Sequence, residues 1–185
     1  MFIGIDYSMS SPAMCLLSSD GSFKNSQHYF LSSKKKDLTV PSQNIHCGMH
    51  KPYQTEIERY TNIADFFLQV LVAIKEPLQI FIEDYSMGSK GRIFAIAENT
   101  AILKYKIVQA GFSFSTFPPT VIKKYASGKG NADKDMMYKA FLDKGHSDIK
   151  RFYHEKPNAK VASPVSDIVD AFFIAELGSQ KYQTH

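Results

Sequence analysis

The chain has 185 residues, of which 44% are hydrophobic and 22% charged, with a formal net charge of +4; this is the composition of an ordinary globular protein and excludes a disordered or fibrous one. No apolar run approaches the ~20 residues of a membrane span, and no basic segment followed by an apolar stretch opens the chain, so a cytoplasmic protein is expected. Two cysteines, Cys15 and Cys47, exclude a disulfide framework and are expected as thiols, and the length fits one domain over residues 1–185.

Residues 2–6 read as a strand, and a turn through Ser8–Pro12 leads to a second strand at residues 13–18. Asp20-Gly21 is a hairpin signal, and a third strand through residues 28–31 follows, which makes the start of the sheet antiparallel. Residues 32–53 contain Lys34, Lys35, Lys36, Pro41 and Pro52 and no sustained period, and are expected as a long loop insertion. From residue 56 to 75 the apolar positions Ile57, Tyr60, Ile63, Ala64, Phe67, Leu68 and Leu71 recur at helical spacing, and Pro77 ends the helix. The short apolar run at 78–83 has the pattern of a central strand buried on both faces.

A polar loop, 86–91, precedes a helix expected over 92–110 and stopped by Gly111. A strand is expected at 113–117, ended by Pro118-Pro119. Helical stretches follow at 120–126 and 132–143, broken by Ser127-Gly-Lys-Gly130. The last helix has Ser163 as an expected N-cap, Pro164 at its first position and Gly178 as its stop. These elements describe an α/β domain with a mixed five-stranded sheet flanked by helices.

Charge is unevenly spread along this order. Residues 119–160 hold ten Lys/Arg against five Asp/Glu, whereas the rest of the chain holds twelve against thirteen. A basic excess confined to one segment suits a polyanion contacted from one side.

Four carboxylates carry the chemistry. Asp6 and Glu83 each end an apolar strand, and the two strands are separated by a helical crossover. If they pair, the right-handed crossover makes them parallel and puts both acids at one edge of the sheet, where ligands of open α/β sheets bind. Asp167 and Asp170, at i and i+3, share one face of the last helix and can approach that edge together. Asp167 alone is explained by the dipole of a helix N-terminus. Asp170, embedded among Ile168, Val169, Ala171, Phe172 and Phe173, is not. Acids gathered at buried strand ends need compensating charge, which a pair of hard divalent cations supplies.

The runs Phe2-Ile-Gly-Ile-Asp6, Ile82-Glu83, Pro119–Lys124, Gly128-Lys-Gly-Asn-Ala132 and Asp167-x-x-Asp170-Ala together resemble the RuvC-like Holliday-junction resolvases of the ribonuclease-H-like nuclease superfamily, over most of the chain. The resemblance implies a ribonuclease-H-like fold and a homodimeric, metal-dependent endonuclease that resolves four-way DNA junctions by paired symmetric nicks. It implies two Mg²⁺ ions, with Mn²⁺ as a substitute, held by Asp6, Glu83, Asp167 and Asp170, and in-line hydrolysis that leaves 5′-phosphate and 3′-hydroxyl ends. Lys129 is the basic residue expected near the scissile phosphate, with Lys123, Lys124 and Lys134 as backbone contacts. The helix at 92–110 matches the family's dimer region, with Phe94, Ile102 and Tyr105 as contacts.

Two departures stand out. Bacterial members follow the first Asp with Pro-Gly, where this chain has Tyr7-Ser8. They also place a junction-stacking aromatic three residues after the strand Glu, where this chain has Ser86; Tyr85 or Met87 are the substitutes at hand. A virus-encoded or divergent member fits these departures and the 32–53 insertion.

Other functions compete less well. A related nuclease of this fold acting on flaps, forks or RNA–DNA hybrids would share the acids. A branched-DNA-binding protein that does not cut would gain nothing from burying them. An actin-like ATPase needs a duplicated domain and glycine-rich phosphate loops; the Walker pattern is absent, so no nucleotide cofactor is expected. His46, Cys47 and His50 lack the paired spacing of a zinc site.

Overall fold

The computed structural model describes residues 1–40, 42–85, 93–153 and 158–183. Ser86 and Met87, the loop 86–91 and the first residue of the expected 92–110 helix lie outside the described residues.

Six strands, β1 (Phe2–Asp6), β2 (Ala13–Leu17), β3 (Gln27–Ser32), β4 (Ile45–Met49), β5 (Gln79–Glu83) and β6 (Phe114–Phe117), form one sheet in the order β4-β3-β2-β1-β5-β6. β2 runs antiparallel to β1 and β3, whereas β4 is parallel to β3, and β5 is parallel to β1 and β6. The helices are α1 (Glu56–Ala73), α2 (Ile93–Gln109), α3 (Pro119–Ser127), α4 (Lys134–Asp143) and α5 (Val165–Gln183).

The expected five strands become six because the 32–53 segment is not a loop throughout. It contains a 3₁₀ turn, Lys35–Thr39, and the edge strand β4. Only Ile45 of β4 is buried and the rest is half-exposed, so side-chain alternation never announces the strand; its backbone ladder with β3 creates it. The turn is anchored by Asp37, which is buried and accepts from the Ser32 hydroxyl at 2.6 Å.

Strand alternation sorts the side chains into two cores. Ile3 and Ile5 of β1, Met14 and Leu16 of β2, and Ile80 and Ile82 of β5 pack against Ile63, Phe67 and Leu71 of α1 and Leu103 and Ile107 of α2. Ala13, Cys15 and Leu17 of β2, with Phe81 of β5, face α3, α4 and α5 on the opposite side. Asp6 and Glu83 have the parity of Gly4 and Phe81, so both belong to the face that α5 covers.

Helix ends follow local chemistry. The Thr55 hydroxyl caps α1 by accepting from Glu58 N–H at 3.1 Å, and Asp133 caps α4 by accepting from Met136 N–H at 2.8 Å. Gly128, at φ 77°, closes α3 in the left-handed conformation that a Cβ disfavours.

Two expectations for α5 differ. It begins at Val165, one residue after Pro164, whose carbonyl accepts from Ile168 N–H at 3.0 Å. Gly178 does not stop it; the helix continues to Gln183. Gly178 is instead the point where α5 presses on the ring of Phe81, and Gly4 is where β1 meets the α5 backbone at Ala171 and Ala175. A Cβ at either glycine would overlap those atoms. Gly4→Ala should therefore destabilise the protein by about 1–3 kcal/mol or more, because backbone cannot yield as a side chain can. Urea denaturation monitored by circular dichroism would check this, with an unchanged midpoint counting against the close contact.

Candidate active site

Asp6 and Glu83 stand side by side. The β1–β5 register pairs Gly4 with Phe81 and Ile5 with Ile82, and its next step brings Asp6 beside Glu83. Glu83 is close enough to hydrogen-bond with Asp6. On α5, Asp167 and Asp170 lie on the turn preceding Ala171, which touches Gly4, so the helix delivers both acids to the end of β1.

All four acids line one cleft of about 520 Å³ at the carboxyl ends of β1 and β5. Tyr7, Ser8, Met9 and Ser10 close one side, and Tyr85, Ile96 and Thr100 another. Lys123 of α3 and Lys134 of α4 complete the wall.

The electrostatics follow from this crowding. Burial, then Glu83, Asp167 and Asp170 in turn, push the Asp6 carboxyl well above its usual range, and Lys134 opposes them. Glu83 is raised by burial, against the lowering effect of the Asp6 hydrogen bond and Lys123. Asp170 is raised to about 7, by burial first and then by Glu83 and Asp167, while Lys134 and Lys123 pull it down.

Asp167 is held by hydroxyls. Ser11 donates to Oδ2 and Ser166 to Oδ1, the latter at 3.2 Å. Lys134 Nζ donates to the Ser166 hydroxyl at 3.0 Å and stands 4.0 Å from Asp167 Oδ1.

Among the described residues, no group of three or more His, Cys, Asp or Glu forms a ready-made metal cage. The donor set nevertheless fits hard divalent cations: four carboxylates, oxygen only, open to a cleft and mutually repelling until positive charge arrives. The other metal pattern dissolves. His46 bonds Gln27 at 2.7 Å, Cys47 its neighbour Gly48, and His50 the carbonyl of Ser10 at 2.9 Å.

The basic residues divide. Lys123 and Lys134 line the cleft. Lys124 and Lys129 are exposed and are not among the lining residues; the Lys129 N–H donates to Ser127 Oγ at 3.3 Å on the α3–α4 connection. Tyr85 is exposed at the rim, with the Lys104 ammonium 5.6 Å from its ring centre.

Three participants escaped the sequence. Ser11 and Ser166 carry no motif, because a serine beside a turn or a helix start is ordinary. Arg59 lies on α1, yet it lines the cleft and donates to the Met9 carbonyl at 3.1 Å, which steadies the segment after Asp6. Only the residue four places before Ile63 on the core-facing helix hinted that its side chain could reach the sheet edge.

Comparison with known proteins settles the fold. No protein-family model matches the chain. A crossover junction endodeoxyribonuclease RuvC from Synechococcus sp. (strain CC9311) is 28% identical over 100 residues, which span 53% of this chain and 62% of that relative. The structure of Thermus thermophilus RuvC superposes with a TM-score of 0.58 at 18% identity, over 98% of this chain and 96% of that one. The chain has the RuvC-like fold. A second Thermus thermophilus RuvC structure, in complex with Holliday junction substrate, superposes with a TM-score of 0.62 at 12% identity, over 100% of this chain and 96% of that one. Within that fold the sheet of this chain has six strands, with β4 at one edge.

Carboxyls whose pKa is raised in the folded state stabilise it at low pH, and that contribution is lost as pH rises through the folded value. For Asp170 the window runs from its ordinary 3.8 to about 7. Asp170→Asn should therefore raise the melting temperature in chelator at pH 8 and change it little at pH 4. Equal shifts at both pH values would show that Asp170 is not strained by its neighbours.

Proposed function

We propose that this chain is a metal-dependent endonuclease that resolves four-way DNA junctions by paired symmetric nicks, acting as a homodimer in the cytoplasm. The observation that carries this is the meeting of four acids from β1, β5 and α5 in one cleft walled by Lys123 and Lys134. A cleft built only to bind DNA would not concentrate negative charge at its floor.

Asp6, Glu83, Asp167 and Asp170 would hold two Mg²⁺ ions, or Mn²⁺ in their place, which when bound supply a water of lowered pKa for in-line attack and stabilise the departing 3′ oxygen, leaving 5′-phosphate and 3′-hydroxyl ends. The residues of the chain do the rest. Asp6 and Glu83, on adjacent rigid strands, set the floor against which the phosphate is seated. Lys123 and Lys134 face that floor and neutralise charge that builds on the phosphate in the transition state. Lys124 and Lys129, exposed beyond them, contact the DNA backbone farther out, and Tyr85 offers a ring at the rim for an unpaired base. The relative named as a crossover junction endodeoxyribonuclease supports the substrate class.

Homodimerisation is supported by α2. Phe94, Tyr105 and Val108 are exposed to 82%, 64% and 57%, a row of apolar side chains that solvent does not reward. Ile102, by contrast, packs against the core and is a weaker dimer contact.

The test is cleavage of a synthetic four-way junction beside matched duplex, flap and RNA–DNA hybrid, with Mg²⁺ or with chelator. Paired symmetric nicks confined to the junction and abolished by chelator are expected. Asp6→Asn should reduce cutting to background while junction binding persists; near-wild-type cutting would remove Asp6 from the mechanism. Cutting of flaps or hybrids alone would overturn the substrate and keep the site. Lys134→Ala should slow cleavage at saturating junction roughly a hundredfold, and Lys129→Ala should mainly weaken binding. The reverse ranking would return the catalytic role to Lys129.

A further inference from the structure

Ser11 is buried, only 8% exposed, on the segment that joins Asp6 to β2. Its hydroxyl donates to Asp167 Oδ2 across 156 residues of chain, and its own N–H donates to Ser8 Oγ at 3.1 Å. The serine is thus pinned on one side by its own loop, and it pins Asp167 on the other. Ser166 engages the second oxygen of the same carboxylate.

A carboxylate oxygen has two acceptor positions. With a hydroxyl on each oxygen, Asp167 keeps one free position on each, and turning its plane would break both hydrogen bonds. Asp6 and Asp170 have no such restraint from a hydroxyl among the described residues. Asp167 is therefore the acid of the cluster that hydroxyls orient in advance, whereas Glu83 and Asp6 hydrogen-bond with each other. The group that sets it sits five residues after Asp6, so the acids contributed by β1 and by α5 are registered through one short segment.

We propose that Ser11 is a positioning residue for the cation site, holding Asp167 in the orientation in which it ligates. This rests on the two-cation function proposed above. Partners that orient a ligating carboxylate change metal affinity by roughly tenfold to a hundredfold when removed. A hydroxyl that merely competed with the cation for Oδ2 would, once removed, leave affinity equal or higher.

The experiment is a calorimetric Mn²⁺ titration of the full chain, without DNA, for the wild type, Ser11→Ala, Asp167→Asn and the double variant. Ser11→Ala should weaken Mn²⁺ binding at least tenfold in the event that Asp167→Asn removes, and should leave the remaining event as in the wild type. In the Asp167→Asn background, Ser11→Ala should have no further effect. Undiminished or tighter binding in Ser11→Ala overturns the proposal. So does a weakening of the same size in the Asp167→Asn background, which would reveal a general loosening of the fold. A wild type that binds no Mn²⁺ overturns the two-cation function, and the role of Ser11 with it. A wild type that binds Mn²⁺ beside an equally competent Ser11→Ala overturns the role of Ser11 alone.

Discussion

The backbone of α5 lies directly on Gly4 of β1, with no side chain between them, and the site depends on that approach. Ala171 and Ala175 supply the small surface on the helix, and Gly178 repeats the contact one strand away against Phe81. A helix packed on a sheet through large side chains would stand off by several ångströms. Here Asp170 immediately precedes the contact residue Ala171, so contact at Gly4 places α5's acids at the end of the strand that closes with Asp6. Phe172, Phe173 and Ile174 fix the rotation of the helix, being fully buried in the core that α5 shares with β2 and α4.

Bringing the acids together opposes folding. Burial and mutual repulsion raise Asp6, Glu83 and Asp170, so the folded chain holds protons that the unfolded chain would release. Lys123 and Lys134 offset part of this, and Ser11 and Ser166 satisfy Asp167 without adding charge. What remains is a deficit of positive charge in a cleft open to solvent. The same deficit that strains the fold attracts hard cations, so the strain and the proposed chemistry have one origin.

Much of the fold was legible in the residues. β1, β2 and β5 have apolar runs long enough to be buried on both faces, and α1 has a clear helical period. Asp6 and Glu83 could be placed at one sheet edge because a helical crossover between paired strands forces them parallel. β4 was not legible: Ile-His-Cys-Gly-Met has no alternation, and an edge strand held by backbone bonds to a single neighbour needs none. Gly178 misled because a glycine near a helix end usually relieves a left-handed backbone, whereas this one makes room for an aromatic ring. Lys129 drew attention through its glycine-flanked motif, but cleft-facing position went to Lys123 and Lys134, a matter of how α3 and α4 lean on α5.

The sequence by itself determined the order of the helices and of every strand but β4, the four acids and the basic excess of the 119–160 segment, because periodicity and residue type are local properties. Tertiary structure decided which atoms meet. Ser11 finds Asp167 156 residues away, Arg59 reaches back to the Met9 carbonyl, and Lys134 joins the acid cluster through Ser166. Such partnerships leave no periodic trace in the chain. They arise only when the sheet register and the close seat of α5 on Gly4 have set the distances between segments.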